Sequence, residues 1–307
     1  MKKYNGFLSI DDLAKFESEW VEPISVNYRG YDVWEIPPNG HGITVLMALN
    51  ILKGFDFVER DTVETLHKQI EALKLSFIDT MEYITDPRFM KVTAEQLLSE
   101  RYANDRRALI NDMALDPKVG DPTYSGTVYF ATADKDGNMV SMIQSNFRGF
   151  GSGIVVPGTG ISLHDRGENF CFDENHPNAI AGGKKPYHTI IPGFLTKDNE
   201  AVGPFGIMGG WMQPQAHMQV LMNTIDFHMN PQAALDATRW QWIGGKTVEV
   251  EQDTPNHIIK KLQRMGHDIK VQPDPYHMGR GQIIWRDKNG VLIGGTEKRT
   301  DGMIASW

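Results

Sequence analysis

The stretch Ser125-Gly126-Thr127-Val128-Tyr129-Phe130-Ala131-Thr132-Ala133-Asp134-Lys135-Asp136-Gly137-Asn138 decides how this chain is read. β-Branched and aromatic residues from Thr127 to Ala133 predict a strand, Asp136-Gly137 a tight turn, and Met139 to Ser145 a second strand. The first strand opens on a threonine that follows the small pair Ser125-Gly126. If the Gly126–Thr127 bond is cut, the Thr127 hydroxyl sits beside its own new α-amino group. That amine has an ordinary pKa of about 8, which suits it to activate a hydroxyl near neutral pH. Taken alone, a threonine at the start of a strand is an ordinary β-branched residue. Its neighbours decide.

Upstream, Asp116 to Gly126 holds Pro117, Gly120, Pro122 and Gly126 and reads as an exposed linker, where a peptide bond can be reached and cut. Before it come helices. Ser9 with Asp12 caps a segment bearing Leu13, Phe16 and Trp20, which Pro23 ends. A strand over Asp32–Ile36 runs into the breakers Pro37 to Gly42, and Thr44–Leu52 reads as a buried helix. Asp61 with Glu64 opens another helix, with Leu66, Ile70, Leu73 and Phe77 on one face. Thr93 with Gln96 opens a third that reaches Tyr102.

Downstream, the glycine-rich run Phe147–Gly153 is followed by Pro157-Gly158-Thr159-Gly160. Phe205–Met208 predicts a strand entering Gly209-Gly210, with a helix from Gln215 to about Phe227. Asn230-Pro231 caps another helix, Thr254-Pro255 and Gly266 bracket one more, and Gln282–Arg286 with Val291–Gly295 makes a closing hairpin. Helices first, then strands with interspersed helices, predict an α+β or layered αββα fold rather than a βαβ series.

The chain has 307 residues, 40% hydrophobic and 23% charged, enough for one large domain or two smaller ones. A net charge of −8 argues against a nucleic-acid or anionic-membrane binder. The longest mainly apolar run, Ile43–Leu52, is far short of a membrane span. No signal-peptide pattern and a single cysteine, Cys171, point to a reducing, cytoplasmic setting.

Most other motifs read as ordinary structure. Gly149–Gly153 lacks the Gly-Lys-Ser/Thr ending of a phosphate loop, the ten histidines include no HExxH, and Gly151-Ser152-Gly153 is not a nucleophile elbow. Cys171, between two phenylalanines, reads as a buried thiol. No metal and no cofactor are expected. Gly209-Gly210, between an apolar strand and a helix, can aim two amides at one oxyanion, although the same pair also serves plain turns.

Read together, Tyr28-Arg29-Gly30-Tyr31, Pro37-Pro38, Thr127 to Asn138, Phe150 to Ile154, Gly160-Ile161, Lys185-Pro186, Pro192, Gly209-Gly210, Asn223 to Asp226 and Ala237-Thr238-Arg239 resemble the γ-glutamyltranspeptidase family of N-terminal-nucleophile hydrolases. The resemblance implies a four-layer αββα sandwich and a proenzyme that cleaves itself before a threonine into two subunits that stay associated. Carried over here, Thr127 is the nucleophile and its α-amino group the base. Gly209 and Gly210 form the oxyanion hole, and Ser145 is a supporting hydroxyl. Residues 1–126 then belong to the large-subunit region and 127–307 to the small one, within one structural domain.

The departures concern substrate and length. Where transpeptidases hold the glutamate α-amino group with Asn, Gln and Asp, this chain has Phe147, Arg166 and Asn169. Where they place two serines by the α-carboxylate, it has His188 and Thr189. Losing the acid removes a counter-charge for an ammonium, and Arg166 adds a fork suited to a carboxylate.

Gln144-Ser145-Asn146 to Gly153, Pro157 to Gly160 and Met208-Gly209-Gly210 before Met212 to Gln215 bring the chain nearer the oxamate amidohydrolase and cephalosporin-acylase-like branches. Hydrolysis of a small anionic amide is the expectation; γ-glutamyl transfer or hydrolysis on glutathione-like substrates is the alternative. Only 126 residues precede Thr127, so the N-terminal part of the large subunit is expected to be missing, with an apolar face left where it docks; a separate chain supplying that half is one partner reading. An uncleaved assembly partner and a non-covalent small-ligand binder are the remaining readings.

Overall fold

The computed structural model describes residues 1, 5–117 and 126–307, so Ser125 and most of the expected linker lie outside the described residues. The architecture grows around a helix with no polar face. After helix α1 (Ile10–Ala14) and the hairpin β1 (Ile24–Tyr28) and β2 (Tyr31–Glu35), the breakers of 37–41 release the chain into α2 (Gly42–Leu52). Every residue of α2 is buried. A helix hydrophobic on all sides must be enclosed. Here α3 (Val63–Tyr83), the short α4 (Ala94–Leu97) and α5 (Glu100–Arg107) close one side.

Three expectations shift for local reasons. The Ser9–Asp12 capping box forms, but α1 ends at Ala14 and buries nothing, and Phe16 and Trp20 stay exposed. A helix that short has no stability without a packing surface. The cap of α3 is Thr62 rather than Asp61, its hydroxyl accepting from the Thr65 amide at 3.1 Å. The Thr93–Gln96 box serves only α4, because Ser99 caps α5 separately.

Beyond the gap, β3 (Gly126–Ala133) and β4 (Met139–Phe147) form the expected hairpin. Strands β5 (Gly193–Lys197) and β6 (Glu200–Met208) lead into α6 (Met212–Ile225) and α7 (Pro231–Asp236). Then come β7 (Trp240–Gly244), β8 (Thr247–Glu251), α8 (Asn256–Arg264), β9 (Asp268–Gln272), β10 (Arg280–Arg286) and β11 (Leu292–Thr296).

The main sheet runs β1-β2-β5-β6-β10-β11, antiparallel throughout. The buried helices α2 and α6 pack beside it, and the β3–β4 ribbon lies on β6 and β10. A side sheet, β7-β8-β9, completes the described residues. Strands β1, β5, β7 and β8 are short, and their flanking residues carry weaker turn signals than Asp136-Gly137, so sequence pattern alone passes over them.

The ribbon divides sharply by face. Thr127 and Tyr129 point inward and are buried. Tyr129 lies directly on Gly206 of β6, where any side chain would collide with the ring. The outward residues are Val128 at 57%, Phe130 at 43%, Val140 at 49% and Met142 at 42% exposure. The described residues thus supply helices, a six-stranded sheet and a two-stranded ribbon, with no helices over the ribbon's apolar outer face.

On the helical side, residues far apart in sequence clamp the chain just before the linker. Lys74 Nζ donates to Glu71 Oε1 at 2.8 Å and to the Leu115 carbonyl at 3.1 Å, while the Leu115 amide donates to Glu71 Oε2 at 3.1 Å. Beside them His67 and His267 share a 2.8 Å hydrogen bond, and the other His67 nitrogen meets the Asn111 carbonyl at 2.7 Å. Glu71 is one helical turn from His67, but His267 is 200 residues away, a meeting that no local spacing announces. Glu71→Ala would strand a buried ammonium and free the Leu115 amide. The expected loss is about 3–5 kcal/mol in urea unfolding; a loss under about 1 kcal/mol would show the clamp to be dispensable.

Candidate active site

Thr127 and Ser145 are direct cross-strand partners, and the Thr127 hydroxyl donates to Ser145 Oγ at 3.0 Å. Ser145 Oγ also accepts from the Phe147 amide at 2.8 Å. The ladder then slips. Gly126 pairs with Phe147 whereas Thr127 pairs with Ser145, so Asn146 is an extra residue facing the Gly126–Thr127 peptide bond. The bulge puts Phe147 at φ +76°, a region that costs a non-glycine residue energy and persists only when its surroundings enforce it. The Asp165 amide holds the Asn146 carbonyl at 3.2 Å, and the Arg148 amide holds an Asp165 carboxylate oxygen at 3.2 Å.

Behind the bulge, the guanidinium carbon of Arg166 lies 5.2 Å from the centre of the buried Phe147 ring. Arg166 Nη1 donates to Thr189 Oγ1 at 2.9 Å, and Nη2 is buried with no partner. No carboxylate lies within ion-pair distance of Arg166 among the described residues. Burial, opposed by the more distant Asp165, lowers its pKa to about 10. Arg166 therefore stays a cation near neutral pH, whereas His188 is held neutral, its pKa pushed down to about 3 by burial, then by Arg166 and His164.

The structure therefore brings Phe147, Arg166, His188 and Thr189 together. Asn169 is engaged elsewhere: its side-chain amide donates to the Tyr187 carbonyl at 3.0 Å, so it braces the segment that carries His188.

Gly209 and Gly210 form the turn between β6 and α6, at φ +142° and +57°, conformations only glycine adopts freely. Their carbonyls accept from the Met212 and Gln213 amides at 3.0 and 3.1 Å, so the turn's own bonds use the carbonyls. Helix α6 accordingly begins at Met212, three residues before the expected Gln215. A buried relay underlies this turn. Strand β5 pairs with β6 only as far as Phe205. Beyond that point the Ile207 amide donates to His217 Nε2 at 3.1 Å, and His217 Nδ1 meets Glu35 Oε1 at 2.9 Å. Because Nε2 must accept, Nδ1 carries the proton. Burial raises the Glu35 pKa, an effect that His217 opposes.

Neither His217 nor Glu35 stands out in the sequence. The available signal was a histidine five residues into the helix after Gly-Gly, which is weak without its partner strand. Cys171, expected buried, is only partly so, and its sulfur accepts from the Asp173 amide at 3.3 Å.

The family model for gamma-glutamyltranspeptidase matches residues 1–307. The chain belongs to the γ-glutamyltranspeptidase family. It is 38% identical over 98% of its length to the glutathione hydrolase-like YwrD proenzyme of Bacillus subtilis, covering 59% of that protein. It is 30% identical to the oxamate amidohydrolase proenzyme of Klebsiella pneumoniae, covering 98% of this chain and 58% of that protein.

Among solved structures, a cephalosporin acylase from Bacillus halodurans superposes with a TM-score of 0.95 at 62% identity, covering all of this chain and 56% of that one. A γ-glutamyltranspeptidase chain from Pseudomonas nitroreducens superposes over 58% of this chain and 98% of its own, with a TM-score of 0.53 at 28% identity. The fold is thus the α+β fold of the N-terminal-nucleophile hydrolases in this family. The chain spans just over half the length of the curated relatives it matches. Among the described residues, no helix is long and apolar enough to cross a membrane.

The buried neutral imidazoles carry a pH signature. An unfolded histidine takes up its proton near 6.5, whereas folded His188 does so only near 3, and His41 is held well below the ordinary range, chiefly by burial. Stability is therefore fully present above about pH 6.5 and drains as the pH falls, by at most about 1.4 kcal/mol per pH unit for each such histidine. Urea unfolding between pH 7.5 and 4.5 is expected to show a falling midpoint, and His188→Gln a shallower fall.

Proposed function

We propose that this chain is an amidohydrolase of the γ-glutamyltranspeptidase family, cut between Gly126 and Thr127, that hydrolyses a small anionic amide. The observation that carries this reading is the pairing of a part-buried Thr127–Ser145 hydroxyl contact with Arg166, a buried guanidinium with one donor unmet. A desolvated cation without a counter-ion is costly, and a substrate carboxylate relieves that cost.

In the proposed cycle, Thr127 Oγ attacks the amide carbonyl while the freed α-amino group takes its proton. The amides of Gly209 and Gly210 hold the oxyanion. The proton passes to the departing amine, and water then opens the Thr127 ester. Self-cleavage uses the same hydroxyl on the Gly126 carbonyl, and Asn146, bulged opposite that bond, loosens the ladder where it must open. The names of the oxamate amidohydrolase and cephalosporin acylase relatives support an amide or acyl substrate. Relatives named glutathione hydrolase keep the γ-glutamyl alternative in view, including one from Escherichia coli at 28% identity.

Residues 1–126 and 127–307 are the proposed large- and small-subunit regions, held together after cleavage by one core that draws on both, from Val26 to Trp285. Further polypeptide, matching the additional length of the relatives, is proposed to cover the ribbon. The exposed Val128, Phe130, Val140 and Met142 support that placement.

The 126 and 181 residues flanking the bond divide 34.6 kDa into pieces of roughly 14 and 20 kDa. Intact-mass measurement should find both pieces, and Thr127→Ala should abolish both cleavage and turnover. An intact, inactive wild type would favour the uncleaved assembly partner instead. Light scattering on the chain alone is expected to show association that Phe130→Glu with Met142→Lys suppresses. A dilute wild-type monomer with no tendency to associate would count against the covered ribbon.

A further inference from the structure

Helix α3 and the turn after α8 bring His67, Glu71 and His267 together beneath the chain that leads to the linker. Each is at most 4% exposed, and one ligand-type atom from each lies within 4.8 Å of the others. Sequence spacing could not show this group: two members sit one helical turn apart, and the third comes from near the other end of the chain.

The His67 ring is fixed by its outer contact. Nε2 faces the Asn111 carbonyl at 2.7 Å, and a carbonyl only accepts, so Nε2 carries the proton and Nδ1 presents a lone pair. An outer hydrogen bond of this kind is what orients a metal-ligating imidazole. His267 Nε2 lies 2.8 Å from that lone pair's nitrogen and 3.8 Å from Glu71 Oε1. Ligands about 2.0–2.1 Å from a tetrahedral zinc ion stand about 3.3 Å from one another. An opening of about 0.5 Å on one side of His267 Nε2 and a closing of about 0.5 Å on the other brings both separations to that value. The carboxylate is already held by partners of its own. Lys74 Nζ donates to Oε1 at 2.8 Å and the Leu115 amide to Oε2 at 3.1 Å, and each oxygen keeps a second lone pair.

We propose that His67, Glu71 and His267 form a zinc site, with His67 Nδ1, His267 Nε2 and Glu71 Oε1 as the protein ligands and water as the fourth. The ion replaces the hydrogen shared by the two rings. His267 then carries that proton on Nδ1, a buried atom with no other partner. Two imidazoles and one carboxylate suit zinc rather than calcium or magnesium, which take oxygen ligands. The charges facing the group from other positions are Lys74 and Lys246, with Asp116 near Lys74. This excess of cations selects an ion held by nitrogen lone pairs over one held by charge alone. An open cavity of about 510 Å³, whose lining includes His67, Lys68, Asn111, Asp112 and Met265, gives an ion access to the His67 ring.

The site does not depend on the proposed cut, but its role does. His67 and Glu71 belong to the piece that ends at Gly126, and His267 to the piece that begins at Thr127. Once that bond is cut, the ion cross-links the two pieces beside the segment from Asn111 to Leu115.

Metal-stripped, uncleaved Thr127→Ala protein is titrated calorimetrically with ZnCl2 and, separately, with MgCl2. Uptake of one zinc per chain and no magnesium is expected, and Co2+ should give the intense visible bands of a four-coordinate ion. In the same background His267→Gln keeps a donor for His67 Nδ1. It should unfold in urea as its parent does without metal, yet bind zinc at least tenfold more weakly. Zinc should raise the urea midpoint of the parent and not of the variant. No zinc uptake by the parent, or uptake unchanged in His267→Gln, would overturn the site. Should the variant fail to fold, the Co2+ spectrum of the parent decides: four-coordinate bands sustain the site, and the weak bands of a six-coordinate surface ion overturn it.

Cleaved wild type carries the second arm. A chelator should speed separation of the two pieces in dilute urea and added zinc should slow it; equal rates would overturn the cross-link. Zinc bound by a chain that never cleaves would spare the site and sink the cut. A cleaved, active enzyme that takes up no zinc would sink the site alone.

Discussion

Much of the structure hangs on how the Ile207 amide is satisfied. Strand β5 stops pairing with β6 at Phe205, so this amide, two residues before the glycine turn, would otherwise be a buried donor without a partner. His217 meets it from α6, and Glu35 meets His217 from β2. One short chain of hydrogen bonds therefore ties the strand before Gly209-Gly210 to the helix after it, and both to the far side of the sheet. All three side chains are buried, where an unmet polar group is most costly and a satisfied one most directional. The glycine turn inherits its position from that arrangement.

The buried arginines show why the Arg166 pocket differs from the rest of the interior. Arg239 donates to Glu297 at 2.8 Å and to the carbonyls of Met278, Gly279 and Leu235. Arg299 bonds Glu251 and Glu297 and the carbonyls of Leu235 and Ala237. These cations are matched by acids and carbonyls, as burial of charge demands, although Arg239 Nε also lacks a partner. Arg166 has Thr189 and the face of Phe147, and leaves Nη2 open. The same residue type is bound by acids at two positions and has none beside it at the third. The difference lies in the neighbours.

The ribbon shows the same division between its two faces. Alternation along β3 sends Thr127 and Tyr129 into the sheet and Val128 and Phe130 out of it. Tyr129 fits because residue 206 is glycine, and its hydroxyl reaches Ser141, which in turn donates to the Gly193 carbonyl. The inner face is thus fully engaged, while the outer face keeps apolar side chains in water. Apolar side chains grouped on one exposed face are the feature that marks a contact surface.

The hairpin, its Asp136-Gly137 turn, the buried run of α2, the capping residues Ser9, Thr93 and Asn230, and the Gly209-Gly210 break were all legible in the sequence. Each is decided by local chemistry: β-propensity, uninterrupted hydrophobicity, a side chain capping its own helix, or a φ that glycine alone adopts freely. Thr127, Ser145 and Arg166 were legible as candidates because ordered motifs along the chain resemble one family. What local chemistry could not contain is the register slip at Asn146, the diversion of Asn169 to the Tyr187 carbonyl, and the clamp of Glu71 and Lys74 on Leu115. Nor could it contain the meeting of Glu35 with His217, 182 residues apart. Those depend on which strand ends first and which helix lies across it, and a hydrogen bond between distant residues has no sequence period to announce it. Residue by residue, the sequence determined the local elements and the candidate nucleophile. Only the tertiary structure decided which buried polar groups would find partners and which would be left without one.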